Sequence, residues 1–277
     1  MMALVGEYDC SVGVCLVVED EERLWLLDTT KASPKRLPFT TVEAAGMSLV
    51  RRQVGPQAGT SQLQVTPVRP MDQVRAEALA ATPPSEPAPA RAAELVELVS
   101  LDPTIKLDIR YATTNNFLGV RFYDEARAFL QRPAAEALVR ANRRLRTLGY
   151  GLLIHDAYRP WYVTKMFWDA TPLDKRWLVA NPASGSKHNR GAAVDLTLYE
   201  LSTGNPVEMP GTYDETTGRS FADYPGGTSL QRWHRALLRN AMVAAGYQVN
   251  SSEWWHFDYG NWRDYAIGNV AFDRIGK

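Results

Sequence analysis

Residues 184–198 read SGSKHNRGAAVDLTL. His188 is one of four histidines in 277 residues, and it stands between Gly185 and Gly191. Asp195 follows seven residues later inside the apolar run AAVDLTL, which reads as a buried strand. A carboxylate in such a strand is costly unless something pairs with it. In one continuous strand His188 and Asp195 would lie about 23 Å apart. Ser184, Gly185, Asn189 and Gly191 instead predict loop and turn. The chain then doubles back and brings the imidazole toward the carboxylate.

His256 follows Glu253 by three in SSEWWHF. Together the two stretches supply two imidazoles, one aspartate and a further glutamate. Two His and one carboxylate are a common catalytic zinc set, leaving a fourth position for water. A glutamate outside the ligand set is the usual general base for that water. Each spacing alone is frequent by chance. The residues leave two readings of Asp195 open: a metal ligand, or one half of a buried salt bridge with Arg190. Strict strand alternation puts Glu253 and His256 on opposite faces. This predicts a β-bulge or similar irregularity near Trp254 and Trp255. His234, in RWHRALL, and His155, at the end of a strand, read as structural, and Trp254 and Trp255 read as packing residues.

Outward from this centre, GLLIHDAY reads as a strand and Tyr158-Arg159-Pro160 as a turn into the helix WYVTKMFWD. PAAEALVRANRRLRTLG and SLQRWHRALLRNAMVAAG carry apolar residues at helical spacing and end at Gly149 and Gly246. TIKLDIRYAT alternates as a strand, residues 200–227 read as loop, and YQVNSSEWWHFDYG is strand-like. Helices and antiparallel-looking strands mix without a regular βα alternation. The expected fold is α+β: a small antiparallel or mixed sheet flanked by helices, with the metal set on it.

Upstream, GVCLVVEDEERLWLLD predicts a hairpin around an acidic turn, and MSLVRRQV and SQLQVTPV add β-type material. The expected organisation is a β-rich unit over 1–75, a Pro/Ala-rich linker over 76–93 and a second domain over 94–277. Cys10 and Cys15 in an extended strand would be about 16 Å apart, too far for a disulfide, unless Ser11-Val12-Gly13 turned tightly. Two reduced thiols are the favoured reading, which fits a reducing compartment. Acidic and basic residues balance at 31 each, so no nucleic-acid footprint is present. No apolar run is long enough to span a bilayer. The first residues lack a basic segment, so no signal peptide is expected. The expected location is cytoplasmic, or periplasmic if a leader precedes this sequence.

Ser186-Lys187-His188-Asn189-Arg190-Gly191-Ala192-Ala193-Val194-Asp195 matches S-x-H-x-x-G-x-A-x-D in full, and Glu253-Trp254-Trp255-His256 matches E-x-W-H. In these motifs the chain resembles the zinc D-Ala-D-Ala dipeptidases of the vancomycin-resistance type, within the zinc D-Ala-D-Ala peptidases. LDIRYATTNNFLG (107–119), LLIHDAYRP (152–160) and MPGTYDE (209–215) resemble that subfamily's N-terminal strand, arginine segment and substrate loop. The resemblance covers about residues 98–270 in order. It implies one Zn2+ per chain held by His188, Asp195 and His256, with Glu253 as catalytic base and Arg159 stabilising the oxyanion. It implies that Ser186 and Asp214 bind substrate, Asp214 facing the ammonium end, and that Tyr111 lines the pocket. The implied partner is a small dipeptide, with antibiotic resistance or recycling of cell-wall D-alanine as the setting.

The sequence departs from the family in two places. About ninety residues precede the matching region, leaving open a homo-oligomer or an intramolecular contact through the N-terminal unit. His155 stands where a tryptophan-like residue is expected. Two other activities remain within reach: a D,D-carboxypeptidase on longer cell-wall peptides, and a catalytically inactive zinc-containing binding domain. The long 199–227 loop as a closed lid favours the dipeptidase. Retention of Glu253 and Arg159 speaks against the inactive domain.

Overall fold

The structure, a computed structural model, describes residues 4–11, 13–28, 36–38, 49–51 and 64–276. The chain divides into two compact units. The first joins the described part of Met1–Leu63 to Glu208–Leu237 and Ser251–Trp254; the second holds Gln64–Val207, Leu238–Asn250 and the chain from Trp255 onward.

In the first unit, β1 (Gly6–Cys10), β2 (Gly13–Asp20), β3 (Arg23–Asp28), β4 (Arg36–Pro38) and β5 (Val50–Arg51) form an antiparallel sheet in the order β4-β3-β2-β1-β5. The expected hairpin is β2–β3, closed at Asp20 opposite Arg23. Its faces alternate. Cys15, Val17, Leu24 and Leu26 join Tyr8 in one buried cluster, and Leu16, Val18 and Leu27 form another. Burial on both faces explains why CLVV reads as an unbroken apolar run. Of the other β-type stretches, Val50–Arg51 is strand, while Leu49 and residues 64–68 are not; the remaining positions lie outside the described residues.

The expectation of reduced thiols is overturned: Cys10 and Cys15 form a disulfide. The strands turn back at once, setting Cys10 opposite Gly13 and Cys15 opposite Tyr8. The Cα atoms therefore lie 6.1 Å apart instead of the extended-chain separation. The support that free thiols lent to a reducing compartment falls with them.

The second unit begins with α1 (Met71–Ala80), so part of the stretch read as linker is helical; it buries Val74 and Ala78 and packs on α4 (Trp161–Ala170). A two-stranded ribbon pairs β6 (Leu95–Glu97) with β8 (Phe129–Gln131), and α2 (Leu98–Leu101) follows β6. The main sheet runs β11-β12-β10-β9-β7, with β7 (Lys106–Leu107), β9 (Tyr150–Asp156), β10 (Ala193–Glu200), β11 (Tyr247–Asn250) and β12 (Glu253–Tyr259). β7 is parallel to β9, and β9 and β12 flank β10 antiparallel. The mixed sheet with its helices is the α+β arrangement expected.

α3 (Arg132–Arg146) packs on β9, burying Ala134, Leu138, Ala141 and Leu145 at helical spacing. β10 is buried over seven of its eight residues, which matches the apolar run around Asp195. α5 spans Ser229–Ala244. The strand expected over TIKLDIRYAT is only two residues long. After Leu107 the Asp108 N–H bonds Ile154 O, Arg110 turns back to pair with Asp108, and a 3-10 turn covers Arg110–Ala112.

An irregularity lies in the pairing of β10 with β9. β12 runs unbroken over Glu253–Tyr259, and the register shift falls between Asp195 and Leu196, which pair with Asp156 and Ile154. The extra residue is His155, so the bulge sits on the strand that leads into Arg159.

Candidate metal centre

Three elements of the second unit bring His188, Asp195 and His256 together. A 3-10 turn over His188–Arg190 ends at Gly191, whose φ of 65° is left-handed. A Cβ there would stand 2.6 Å from Leu95 Cδ2, and the left-handed backbone is what favours glycine. Asn189, fully buried, fixes the turn: its Oδ1 accepts from Ser186 N–H at 2.7 Å, and its Nδ2 donates to Arg159 O at 2.7 Å. The chain then enters β10, where Asp195 stands directly opposite His256 on β12.

The facing atoms are close. His256 Nδ1 lies 2.9 Å from Asp195 Oδ1, His188 Nε2 lies 3.2 Å from His256 Nδ1, and His188 Nε2 lies 3.4 Å from Asp195 Oδ1. Ligands about 2.0–2.1 Å from a tetrahedral zinc are about 3.3–3.4 Å from one another. All three residues are buried, at 3%, 4% and 8% exposure.

Each imidazole spends its outer nitrogen on an acceptor: His188 Nδ1 on Ala157 O at 2.7 Å, His256 Nε2 on Asp258 Oδ1 at 3.0 Å. These bonds turn the other nitrogen toward Asp195 as an acceptor lone pair, the form a metal needs. Burial pushes the Asp195 carboxyl up, but His188 and His256, when protonated on the nitrogens that face it, outweigh burial and hold it well below the usual range. Burial likewise opposes ionisation of Asp258, and His256 with Lys187 reverses it. Arg190, the other partner considered for Asp195, is paired with Glu86 and donates to Tyr265 O.

Arg159 is buried beside this set. Its Nε and Nη2 both donate to Asp156 Oδ2, at 3.0 and 2.6 Å, and Tyr123 OH donates to Asp156 Oδ1 at 2.7 Å. Asp156 Oδ2 is 3.7 Å from His188 Nδ1. Burial works against the guanidinium charge, but Asp156 overcomes it, so Arg159 stays cationic. The buried Tyr111 ring lies 5.2 Å from the guanidinium carbon. Ser186 Oγ accepts from His188 N–H at 3.2 Å and so caps the turn. His155 is buried with Nδ1 3.4 Å from Asp108 Oδ2.

Glu253 is the first residue of β12, three before His256, and is half-buried. Asp214 lies in the first unit, half-buried, with a left-handed φ of 57°. Asp258 and Asp156 were missed as site residues. Asp258 had a signal, since residues two apart on a strand share a face. Asp156 had a weaker one, three residues before Arg159.

A family description, D-ala-D-ala dipeptidase (Peptidase_M15), matches residues 91–270. The chain belongs to the D-Ala-D-Ala dipeptidase family of peptidases, a metallopeptidase family, and His188, Asp195 and His256 form a group that could hold a metal ion. It is 36% identical over 174 residues to a D-alanyl-D-alanine dipeptidase of Escherichia coli, covering 63% of this chain and 89% of that protein. It is 35% identical over 187 residues to one of Enterococcus faecium (61% and 91%). It is 36% identical over 179 residues to one of Streptomyces coelicolor (58% and 87%). Among the described residues no helix is long and apolar enough to cross a membrane.

Proposed function

We propose that the protein hydrolyses D-alanyl-D-alanine to two D-alanines, with one zinc ion per chain held by His188, Asp195 and His256. The observation that carries this reading is the trio of facing atoms 2.9–3.4 Å apart, with both imidazoles oriented by outer acceptors. Zinc, when bound, supplies a Lewis acid for the scissile carbonyl and lowers the pKa of water toward neutrality.

The remaining work belongs to side chains. Glu253 takes a proton from the attacking water and delivers it to the leaving amine. Arg159, held by Asp156 through two of its five N–H donors, stabilises the charge that grows on the carbonyl oxygen. Asp214 receives the substrate's ammonium, and Ser186 and Tyr111 complete the binding surface.

The test is D-alanine release from D-Ala-D-Ala before and after chelation and zinc add-back, with an N-acylated D-Ala-D-Ala peptide in parallel. Zinc-dependent cleavage of the free dipeptide alone is the expected result. Cleavage of the blocked peptide would make the protein a D,D-carboxypeptidase. No cleavage of either by zinc-loaded protein would make it a binding domain.

A further inference from the structure

The family match begins at residue 91, yet the N-terminal sheet shares a compact unit with Glu208–Leu237, a segment inside that match. Two sets of contacts join them. The face formed by Leu16, Val18 and Leu27 is covered by Tyr224, whose hydroxyl donates to Glu7 Oε1 at 2.8 Å. Burial, with the Glu7 carboxylate, pushes that phenol well above its ordinary value, so it remains a donor. At the end of β2, Glu19 Oε2 accepts from Ser229 N–H at 3.3 Å; the Ser229 hydroxyl and Arg232 also reach Glu19.

The clamped segment carries the loop of Asp214. That loop is tied by buried Glu215, which accepts from Thr212 N–H at 2.8 Å and lies 3.5 Å from Arg219 Nε. Arg219 in turn donates to Pro210 O at 2.9 Å. Tyr224, held by Glu7, and the Glu215–Arg219 pair that ties the chain just after Asp214 thus belong to one compact unit with the N-terminal sheet. Asp214 itself has a left-handed φ of 57°, a conformation that aspartate tolerates in turns.

We propose that the N-terminal sheet is a positioning clamp on the substrate loop, holding Asp214 where it receives the ammonium of an unblocked dipeptide. The proposal rests on the reading of Asp214 given above. Glu7, Glu19 and Tyr224 act through the loop and touch no substrate.

The full chain carrying Tyr224→Phe or Glu7→Gln is compared with Asp214→Asn, after melting temperature and zinc content show that each is folded and loaded. KM and kcat are measured for D-Ala-D-Ala, and the inhibition constant for N-propionyl-D-alanine, which lacks the ammonium. Both clamp variants are expected to raise KM about two- to thirtyfold, the span of couplings carried through packed side chains. The kcat and the N-propionyl-D-alanine constant are expected to stay as in the parent. If Asp214→Asn raises KM and neither clamp variant does, the clamp is overturned and the ammonium reading stands. If Asp214→Asn leaves KM unchanged, the ammonium reading falls and the clamp with it.

Discussion

Asp258 Oδ1 lies 3.0 Å from His256 Nε2, two positions along the same strand. Residues two apart on a strand share a face, so β12 supplies both the imidazole and the carboxylate that orients it. Lys187, paired with Asp258, anchors that carboxylate in turn. Asp258→Ala is therefore expected to lower zinc affinity about 10- to 100-fold, as loss of an outer partner of a ligating histidine does. Titration against a chromophoric chelator reads this directly. An affinity equal to the parent's would show that Asp258 does not set the His256 ring.

Arg159 makes a two-pronged contact with Asp156, and lysine keeps the charge without the fork. Arg159→Lys is expected to lower kcat about 10²- to 10³-fold, the loss typical of one oxyanion donor. Steady-state kinetics with D-Ala-D-Ala check it. A rise in KM alone, with kcat kept, would assign Arg159 to binding and not to the oxyanion.

Asn142 joins α3 to the main sheet. Its Oδ1 accepts from Leu152 N–H at 3.0 Å, and its Nδ2 donates to Asp102 Oδ2 at 3.0 Å, all of it buried. Asn142→Ala leaves a buried donor and a buried carboxylate short of partners. It is expected to destabilise the fold by about 2–4 kcal/mol, read by urea unfolding.

Asp102 also gives the fold an acid sensitivity. Burial pushes its carboxyl up, but Thr104 and Asn142 outweigh burial and hold it below the ordinary value. A lowered native pKa means stability that is fully present above the unfolded value of about 3.9 and lost as pH falls through the native value. The stability gap between the parent and Asp102→Asn should be constant from neutral pH down to about pH 4 and narrow below it. Urea unfolding across that range measures the gap; a gap independent of pH would remove Asp102 from the acid response.

Much of this was legible because it is local. Glycines and turn formers around His188 announced the reversal that returns the chain to Asp195. The apolar spacing of α3 and α5, ended by Gly149 and Gly246, marked both helices. What stayed hidden depends on distant partners. Helix α1 lies in an Ala/Pro-rich stretch and is stabilised by packing on α4. The His155 bulge exists only in the register of β9 against β10. Glu86 captures Arg190 from 104 residues away, which leaves Asp195 to the two imidazoles. The Cys10–Cys15 disulfide needed the abrupt turn that sets Cys10 opposite Gly13.

The most direct measurement is D-alanine release by Glu253→Ala protein whose zinc content is determined on the same sample. One zinc per chain with turnover lowered at least about 10²-fold is the expected result, because only the proton carrier is gone. Full zinc with parental turnover would contradict Glu253 as the base and the hydrolytic mechanism built on it.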